Sequence, residues 1–237
     1  MTATDSLRAA VRSALEAHSD ADYLANIRAL VPSDSAMLGV RVPAIRELVT
    51  TFLRRRSLDL ETACALVDAQ FATACREEML FGVLLLARFK KQFSSALWPT
   101  IDRWIDAIEN WEVCDQLAMG VAGEILANDL SLLPDLGRWV RSDNRWRRRF
   151  ALAATTVLNQ KGRRNAVDAL AICKAAIAER EPIVRKAVAW ALREACKSDE
   201  PAVFELLASH RARVHPTVLR ETLPKLTVGH RMALAAS

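Results

Sequence analysis

The hydrophobic residues of this chain recur mostly at spacings of three and four positions, the repeat of an α-helix that buries one face. Segments rich in Ala, Leu, Arg and Glu carry this pattern, and only 7 glycines and 8 prolines interrupt the 237 residues. Helix breaks are predicted at residues 32–35, Pro43, Pro99, residues 142–144, Gly162, Pro182, Pro201 and Pro216. The sequence therefore predicts an all-α fold of about a dozen helices, with no convincing strand.

Two segments resemble each other at an offset of about 37 residues, a helix-pair repeat length: Asn144–Ala151 and Glu181–Val188. Weaker copies begin at Pro43 and Pro216. This pattern favours HEAT-like helix pairs that stack into a right-handed α-α superhelix, an α-solenoid, whose second helices line a concave groove. We expect one domain over residues 1–237, with arginines making the groove basic. The order of residues 226–237 is left open, and a flexible tail is one alternative.

The composition excludes several other classes of protein. A content of 51% hydrophobic and 26% charged residues is ordinary for a soluble globular chain. Apolar runs such as Met79–Ala87 are too short to cross a bilayer, so we expect no membrane partner. The sequence also shows no leader pattern, and we expect a cytoplasmic protein, nucleoid-associated if bacterial. Metal-binding and phosphate-loop motifs are absent, which predicts neither metal nor cofactor. We further expect a monomer.

The cysteines and most of the tryptophans have simple structural interpretations. The five cysteines are widely spaced within helical patterns, so they are interpreted as reduced thiols in the core: Cys64, Cys75, Cys114, Cys173 and Cys196. Trp98, Trp104 and Trp139 lie at helical spacing among aliphatic residues, which indicates packing. Cys114 has no histidine nearby in the sequence, so we interpret it as a space-filling residue and not as a nucleophile.

The net charge of +5 is unevenly distributed along the chain. Acidic residues outnumber basic ones between residues 101 and 143, whereas residues 144–197 contain 13 Lys and Arg against 4 Asp and Glu. Four arginines crowd into this basic block at Arg145, Arg147, Arg148 and Arg149. Such a block favours a polyanionic partner, most often nucleic acid, over a merely solvated surface.

The candidate chemistry begins with Trp111 and Asp115, which share one helical face because they lie four positions apart. Alone, the pair is weak evidence, since an aspartate near a helix start often only complements the helix dipole. Two motifs later in the chain make the pair more informative. Trp146 with Arg149, and the segment Lys186–Glu194 with Trp190 and Arg193, follow in later helix pairs.

This arrangement resembles the AlkD-like DNA alkylation repair family, whose HEAT-like glycosylases carry WxxxD, WxxR and KA[IV]xWxLRE segments. These correspond here to Trp111–Asp115, Trp146–Arg149 and Lys186–Glu194. The turn Leu38–Arg46 and the helix start Arg76–Glu78 also resemble the family, and the similarity runs from about Ala21 to Leu226.

The resemblance implies that Asp115 is the catalytic carboxylate and that Trp111 and Trp190 are aromatic walls beside the lesion. It also implies DNA contacts, which we assign to Arg149, Arg148, Arg193, Lys186 and Arg41. The expected substrate is duplex DNA with N3- or N7-alkylated purines, whose positive charge makes the base a good leaving group. An ionised carboxylate stabilises the oxocarbenium character of the sugar, so activity should fall as pH is lowered into the range where aspartate protonates.

Three departures from the family pattern bear on this hypothesis. Glu112 adds negative charge that we expect near DNA phosphates, Asn110 replaces a frequent aromatic residue, and Phe150 is larger than expected after Arg149 unless it is a core residue. Two other functions stay open. One is a HEAT-like module that binds damaged or branched DNA without catalysis. The other is a scaffold for protein partners, which the arginine cluster disfavours.

Overall fold

The computed structural model describes residues 2–31, 33 and 35–236, and it divides into two compact units, Met1–Val121 and Ala122–Ser237. The N-terminal unit contains seven α-helices over its described residues: α1 (Ala3–Glu16), α2 (Ala21–Leu30), α3 (Val42–Arg54), α4 (Leu60–Phe71), α5 (Arg76–Leu86), α6 (Trp98–Ile105) and α7 (Trp111–Leu117). Short 3-10 helices cover Ala87–Gln92 and Ser95–Leu97.

The described part of the C-terminal unit contains seven further α-helices: α8 (Gly123–Leu126), α9 (Leu133–Trp139), α10 (Arg145–Thr155), α11 (Ala166–Ala175), α12 (Pro182–Ser209), α13 (Pro216–Thr222) and α14 (Val228–Ala236). Three 3-10 helices cover Leu130–Leu132, Thr156–Asn159 and Leu223–Lys225. No β-strand occurs among the residues described, which contain one isolated bridge, between Ala36 and Cys75. The all-α fold class predicted from the sequence is confirmed.

The core of the N-terminal unit surrounds α5, all eleven residues of which are buried. A helix that is apolar on every side has to be enclosed, and α5 packs against α1, α3, α4 and α7. Its first turn is the exception, because it carries Arg76, Glu77 and Glu78 into this interior. Those three charges require partners, since an unpaired charge in a core is strongly destabilising.

The core of the C-terminal unit lies where α10, α11 and α12 meet. Phe150 on α10 is fully buried and meets Trp139 edge to face, with ring centroids 5.7 Å apart, which confirms its interpretation as a core residue. The two repeated segments do begin helices, since α10 starts at Arg145 and α12 at Pro182. The regular spacing noted in the sequence therefore corresponds to equivalent helix starts.

The helix breaks take several forms. Pro43, Pro99, Pro182 and Pro216 all lie in the first turn of a helix, as expected for proline. The break predicted at Pro201 occurs two residues earlier as a kink inside α12 at Asp199, where φ is −153° and ψ is 84°. In the predicted break at residues 32–35, Pro32 and Asp34 lie outside the described residues.

Residues near the C-terminus pack onto the C-terminal unit through α14. His230 stacks on Phe204 with ring centroids 4.0 Å apart, and its Nδ1 lies 2.9 Å from Glu200 Oε1. Leu234 is buried. The segment whose order the sequence left open is therefore helical over 228–236.

Candidate functional site

Helix α7 carries the first pair of predicted site residues. Its start is fixed by Asn110, whose side-chain oxygen accepts a hydrogen bond of 2.9 Å from Val113 N. Trp111 is 38% exposed, whereas Asp115, one turn later on the same face, is 9% exposed. After Leu117 the chain continues as a π-helix, Ala118–Ala122, a form that often occurs at functional sites. The helix thus presents an indole beside a largely enclosed carboxylate.

Glu112, the other carboxylate of α7, is held by Arg76. Arg76 Nε donates to Glu112 Oε2 across 2.6 Å, and Glu112 is 12% exposed. Burial acts to lower the pKa of the Arg76 guanidinium, but Glu112 and Glu77 outweigh it and raise that pKa above its usual range. Glu112 is thus held in an ion pair with Arg76. The expectation that it adds negative charge near DNA phosphates stays a prediction.

Arg76 also connects α7 to the turn before α3. Its Nη1 lies 2.8 Å from Glu77 Oε1, and the Glu77 carboxylate accepts hydrogen bonds from the amides of Leu38 (2.9 Å) and Gly39 (3.0 Å). Gly39 has φ of +78°, and a Cβ there would lie 2.7 Å from Asp20 O, so only glycine fits this turn without strain. The charged first turn of α5 thereby fixes the positions of both α7 and the turn.

Arg41, a predicted DNA contact, follows that turn as the residue before α3. Its guanidinium lies 4.4 Å from the centre of the Tyr23 ring and 3.2 Å from Asp20 Oδ2. Both Arg41 and Asp20 are more than 40% exposed, so the pair is easily opened. Arg41 therefore remains accessible to a phosphate while resting on an aromatic surface.

Arg149 and Arg148 lie in the first half of α10 and have different surroundings. Arg149 is 7% exposed and its Nη1 donates to the carbonyl of Ile183 across 2.5 Å. Arg148 Nε lies 2.8 Å from Glu179 Oε2, and its Nη1 donates to the carbonyls of Ser142 and Asp143, each at 2.9 Å. Both guanidinium groups thus stabilise the segments around the starts of α10 and α12.

The predicted residues of α12 are more accessible. Lys186, Trp190 and Arg193 follow at spacings of four and three, so they share one face of the helix. Lys186 is exposed and Trp190 is partly exposed. Arg193 Nη1 lies 3.2 Å from Glu221 Oε2, with both side chains about 30% exposed. This face offers two cations and an aromatic ring to a ligand.

The structural interpretations of the tryptophans are confirmed, and those of the cysteines are confirmed in part. Trp98, Trp104 and Trp139 are buried, and Trp104 Nε1 donates to Asp68 Oδ1 across 2.6 Å. All five cysteines are free thiols, but only Cys75, Cys114 and Cys173 are buried in the core, whereas Cys64 and Cys196 are partly exposed. Burial raises the pKa of Cys173 and of Cys196 to about 12, so neither thiol forms a reactive thiolate at neutral pH.

The predicted residues are thus distributed over both units. The structure brings Trp111 and Asp115 together on α7, and Lys186, Trp190 and Arg193 together on α12. Sequence reasoning missed the ion pair of Arg76 with Glu112, because these residues lie 36 positions apart and no local pattern relates them. Within the described chain, no cluster of three or more His, Cys, Asp or Glu side chains is placed to hold a metal ion. The described helices include none long and apolar enough to span a membrane.

Comparison with known proteins gives a consistent result. Residues 11–226 match the family model described as DNA alkylation repair enzyme. The fold is similar to that of a solved structure, a predicted DNA alkylation repair enzyme from Enterococcus faecalis, with a TM-score of 0.73 and 21% sequence identity, over 86% of this chain and 95% of that one. No curated protein matches the chain. At this level of identity the structural likeness establishes the fold, and the family model establishes the kinship.

Proposed function

The chain belongs to the DNA alkylation repair enzyme family, and we propose that it is a monofunctional DNA glycosylase. The proposed reaction is hydrolysis of the N-glycosidic bond of cationic N3- or N7-alkylated purines in duplex DNA. Family membership supports a role in DNA alkylation repair in general. The glycosylase reaction and the residues that perform it are proposed from the family resemblance together with the side chains of α7 and α12.

The observation that carries the proposal is the arrangement of α7. Its exposed Trp111 indole and the Asp115 carboxylate lie one turn apart on the same face. Glu112 lies on the same helix but is paired with Arg76. Glu112 therefore belongs to the core network of Arg76, and Asp115 lies one turn from an accessible aromatic ring. A partly enclosed carboxylate is suited to stabilising positive charge on a substrate, because screening by water is weak there.

The proposed mechanism uses the charge of the lesion itself. An alkyl group on N3 or N7 gives the purine a positive charge, so the base leaves as a neutral molecule when the glycosidic bond breaks. The electron pair of that bond goes to the base, and the sugar acquires oxocarbenium character. Asp115 stabilises this charge and orients a water molecule, whose hydroxyl adds to the anomeric carbon as its proton is lost. The products are the free base and an abasic site, and no cofactor is required.

Aromatic contacts complete the proposed recognition of the lesion. Trp111 is assigned to the cationic base or sugar, since an indole face attracts a cation by about 0.5–2 kcal/mol. Trp190 on α12 is assigned as a second aromatic contact with the DNA. Selectivity then depends on how readily the base leaves, so bulky cationic adducts are expected to be substrates, and an uncharged lesion such as uracil is expected to be a poor one.

DNA binding by the C-terminal unit is assigned to α10 and α12. Lys186 and Arg193 share a face of α12 with Trp190, and we assign them to the phosphate backbone. Arg149 is assigned as a further DNA contact through the small part of its side chain that is exposed. Arg148 and Arg41 are assigned as peripheral contacts. Contacts of this kind set the position of the duplex without reading its sequence.

The test is release of free base from a duplex carrying a single N7-methylguanine under single-turnover conditions. Wild type is compared with Asp115→Asn at equal DNA occupancy. We expect the substitution to reduce the rate by about 100-fold or more, the usual cost of removing one group that stabilises transition-state charge. DNA affinity should stay nearly unchanged, because Asp115 acts on the reacting sugar.

Glu109→Gln is the matched control, because Glu109 is an exposed carboxylate two residues before α7. It removes the same charge nearby and should leave the rate unchanged. If wild type binds the duplex and releases no base, the chain is a non-catalytic DNA-binding module. If Asp115→Asn and wild type release base equally fast, Asp115 is not the catalytic carboxylate.

A further inference from the structure

An open cavity of about 440 Å³ lies in the C-terminal unit, between α13, α14 and the turn after α12. One arginine from each of these segments lines it: Arg211 from the turn after α12, Arg220 from α13 and Arg231 from α14. The remaining wall is apolar and includes Leu219, Leu223 and Pro224. The cavity therefore combines three positive charges with a hydrophobic lining.

The acidic residues of this region are scarce and already paired. Residues 210–236 contain five Lys and Arg residues and one acidic residue, Glu221. Glu221 Oε2 lies 3.2 Å from Arg193 Nη1, and Glu200 Oε1 lies 2.9 Å from His230 Nδ1 on α14. In the described part of the chain, none of the three cavity arginines makes an ion pair with a carboxylate. Like charges that share a concave surface repel one another, so an anionic ligand is favoured there.

The three arginines are also accessible. Arg220 is exposed, and Arg211 and Arg231 are partly exposed. Arg211 Nε donates a long hydrogen bond of 3.4 Å to the carbonyl of Leu234. The side chains of Arg220 and Arg231 make no hydrogen bond among the described residues. The guanidinium groups of the cavity are therefore available to a ligand.

Helix α14 extends the apolar part of this surface. Val228 is 62% exposed and Met232 is 69% exposed, and the two are neighbours on the helix because four positions separate them. Arg231, which lines the cavity, lies three positions after Val228 and is its neighbour as well. An apolar surface rimmed by polar residues is characteristic of a site that binds protein.

The combination of charge and apolar surface selects among possible ligands. A phosphodiester backbone supplies negative charge but little apolar surface to cover Leu223 or Met232. A second copy of the same face, related by two-fold symmetry, would bring the arginines of the two chains against one another, which is repulsive. A peptide that carries both carboxylates and apolar side chains complements both parts of the surface.

We propose that this surface binds a protein partner through an acidic segment that also carries apolar side chains. The carboxylates of the segment pair with Arg211, Arg220 and Arg231, and an apolar side chain packs against Leu223 and Pro224 in the cavity. None of these residues is assigned to the lesion or to the DNA. The inference is therefore independent of the proposed glycosylase activity.

The test is direct binding of a fluorescein-labelled peptide of four aspartates followed by two leucines and a phenylalanine. The full chain is titrated into the peptide, and binding is followed by fluorescence anisotropy. We expect saturable binding that weakens between about 50 and 300 mM NaCl, because salt screens exposed ion pairs. The double variant Arg220→Gln/Arg231→Gln should bind about tenfold more weakly, since it loses two such pairs. Its thermal unfolding should not change, because neither side chain has a partner among the described residues.

Arg213→Gln is the matched control, because Arg213 is exposed in the same region but does not line the cavity. Its affinity for the peptide should match that of wild type. Two altered peptides separate the parts of the surface. One has asparagines in place of the aspartates, and the other has serines in place of the apolar residues. Both should bind more weakly than the original peptide.

Four results would overturn the proposal. The first is no saturable binding of the original peptide below about 1 mM. The second is an equal loss of affinity in Arg213→Gln and in the double variant. The third is equal affinity for the serine peptide, which would indicate a general anion site. The last is a double variant that keeps the peptide but loses affinity for an unmodified duplex, which would assign these arginines to DNA.

Discussion

The two units use their charged residues in different ways. In the N-terminal unit, Arg76 and Glu77 are fully buried and, with Glu112, form a network that joins α5, α7 and the turn before α3. In the C-terminal unit, Arg148 and Arg193 pair with glutamates nearer the surface, and Lys186 is exposed. A buried pair fixes the position of backbone, whereas an exposed cation is available to a ligand. Counting charges along the sequence therefore does not separate structural residues from binding residues.

The largest effect should come from breaking the buried network. Arg76→Met keeps most of the side-chain volume but leaves Glu77 and Glu112 without their cation, and we expect a loss of about 3–5 kcal/mol in the free energy of unfolding. The measurement is urea denaturation followed by circular dichroism. Base release should also fall, because α7 loses the contact that holds the helix carrying Trp111 and Asp115.

Arg103→Met is the matched control, since Arg103 pairs with Asp68 in the same unit across 3.2 Å with both side chains about half exposed. It should cost at most about 1 kcal/mol. A cost at Arg76 no larger than that at Arg103 would show that the buried network does not fix α7.

The sequence predicted the parts of this molecule that repeat or that depend on neighbouring residues. The spacing of apolar positions predicted the helices, and the likeness of residues 144–151 to 181–188 predicted two equivalent helix starts. The pair Trp111 and Asp115 was found because both lie on one helical turn. Its catalytic role came from the family resemblance and stays a prediction.

The contacts that depend on the folded chain were not predictable in this way. Glu112 was expected to add negative charge near DNA phosphates, and its ion pair with Arg76, 36 positions earlier, was not foreseen. Arg46 lines one cavity of the N-terminal unit together with Arg88 and Lys90, although the latter two come from a different segment of the chain. The π-helix after α7 also had no sequence signal that we recognised. The ion pair and the cavity both arise from the packing of segments distant in the sequence.

A smaller effect should separate two cations that the sequence analysis treated alike. Arg148→Ala removes a partly buried ion pair with Glu179 and two hydrogen bonds to backbone carbonyls, so we expect about 2 kcal/mol lower stability. Lys186→Ala should change stability by less than about 0.5 kcal/mol, because Lys186 is exposed and has no ion-pair partner among the described residues.

DNA binding should respond in the opposite order. Lys186→Ala is expected to lower the magnitude of the salt slope by about 0.9, the loss of one phosphate contact. The change for Arg148→Ala should be smaller, since its guanidinium is occupied by Glu179 and the carbonyls of Ser142 and Asp143. Equal slopes for Lys186→Ala and wild type would remove Lys186 from the DNA interface.

The smallest expected effect concerns acid stability of the C-terminal unit. Glu124 accepts from Lys161 Nζ at 2.6 Å and from Arg163 Nη2 at 2.7 Å. Burial acts to raise the pKa of Glu124, but the hydrogen bonds from Arg163 and Lys161 outweigh it and hold the pKa below its usual value of 4.5. A carboxylate whose pKa is lower in the folded state stabilises that state above pH 4.5, and the contribution is lost as pH falls through the folded-state pKa. Glu124→Gln should therefore cost about 1 kcal/mol at pH 7, and progressively less below pH 4.5, in urea denaturation. Glu205→Gln, at an exposed carboxylate of α12, is the control and should show no such pH-dependent difference. If Glu124→Gln lowers the free energy of unfolding equally at pH 7 and pH 3, the charge of Glu124 does not stabilise the unit.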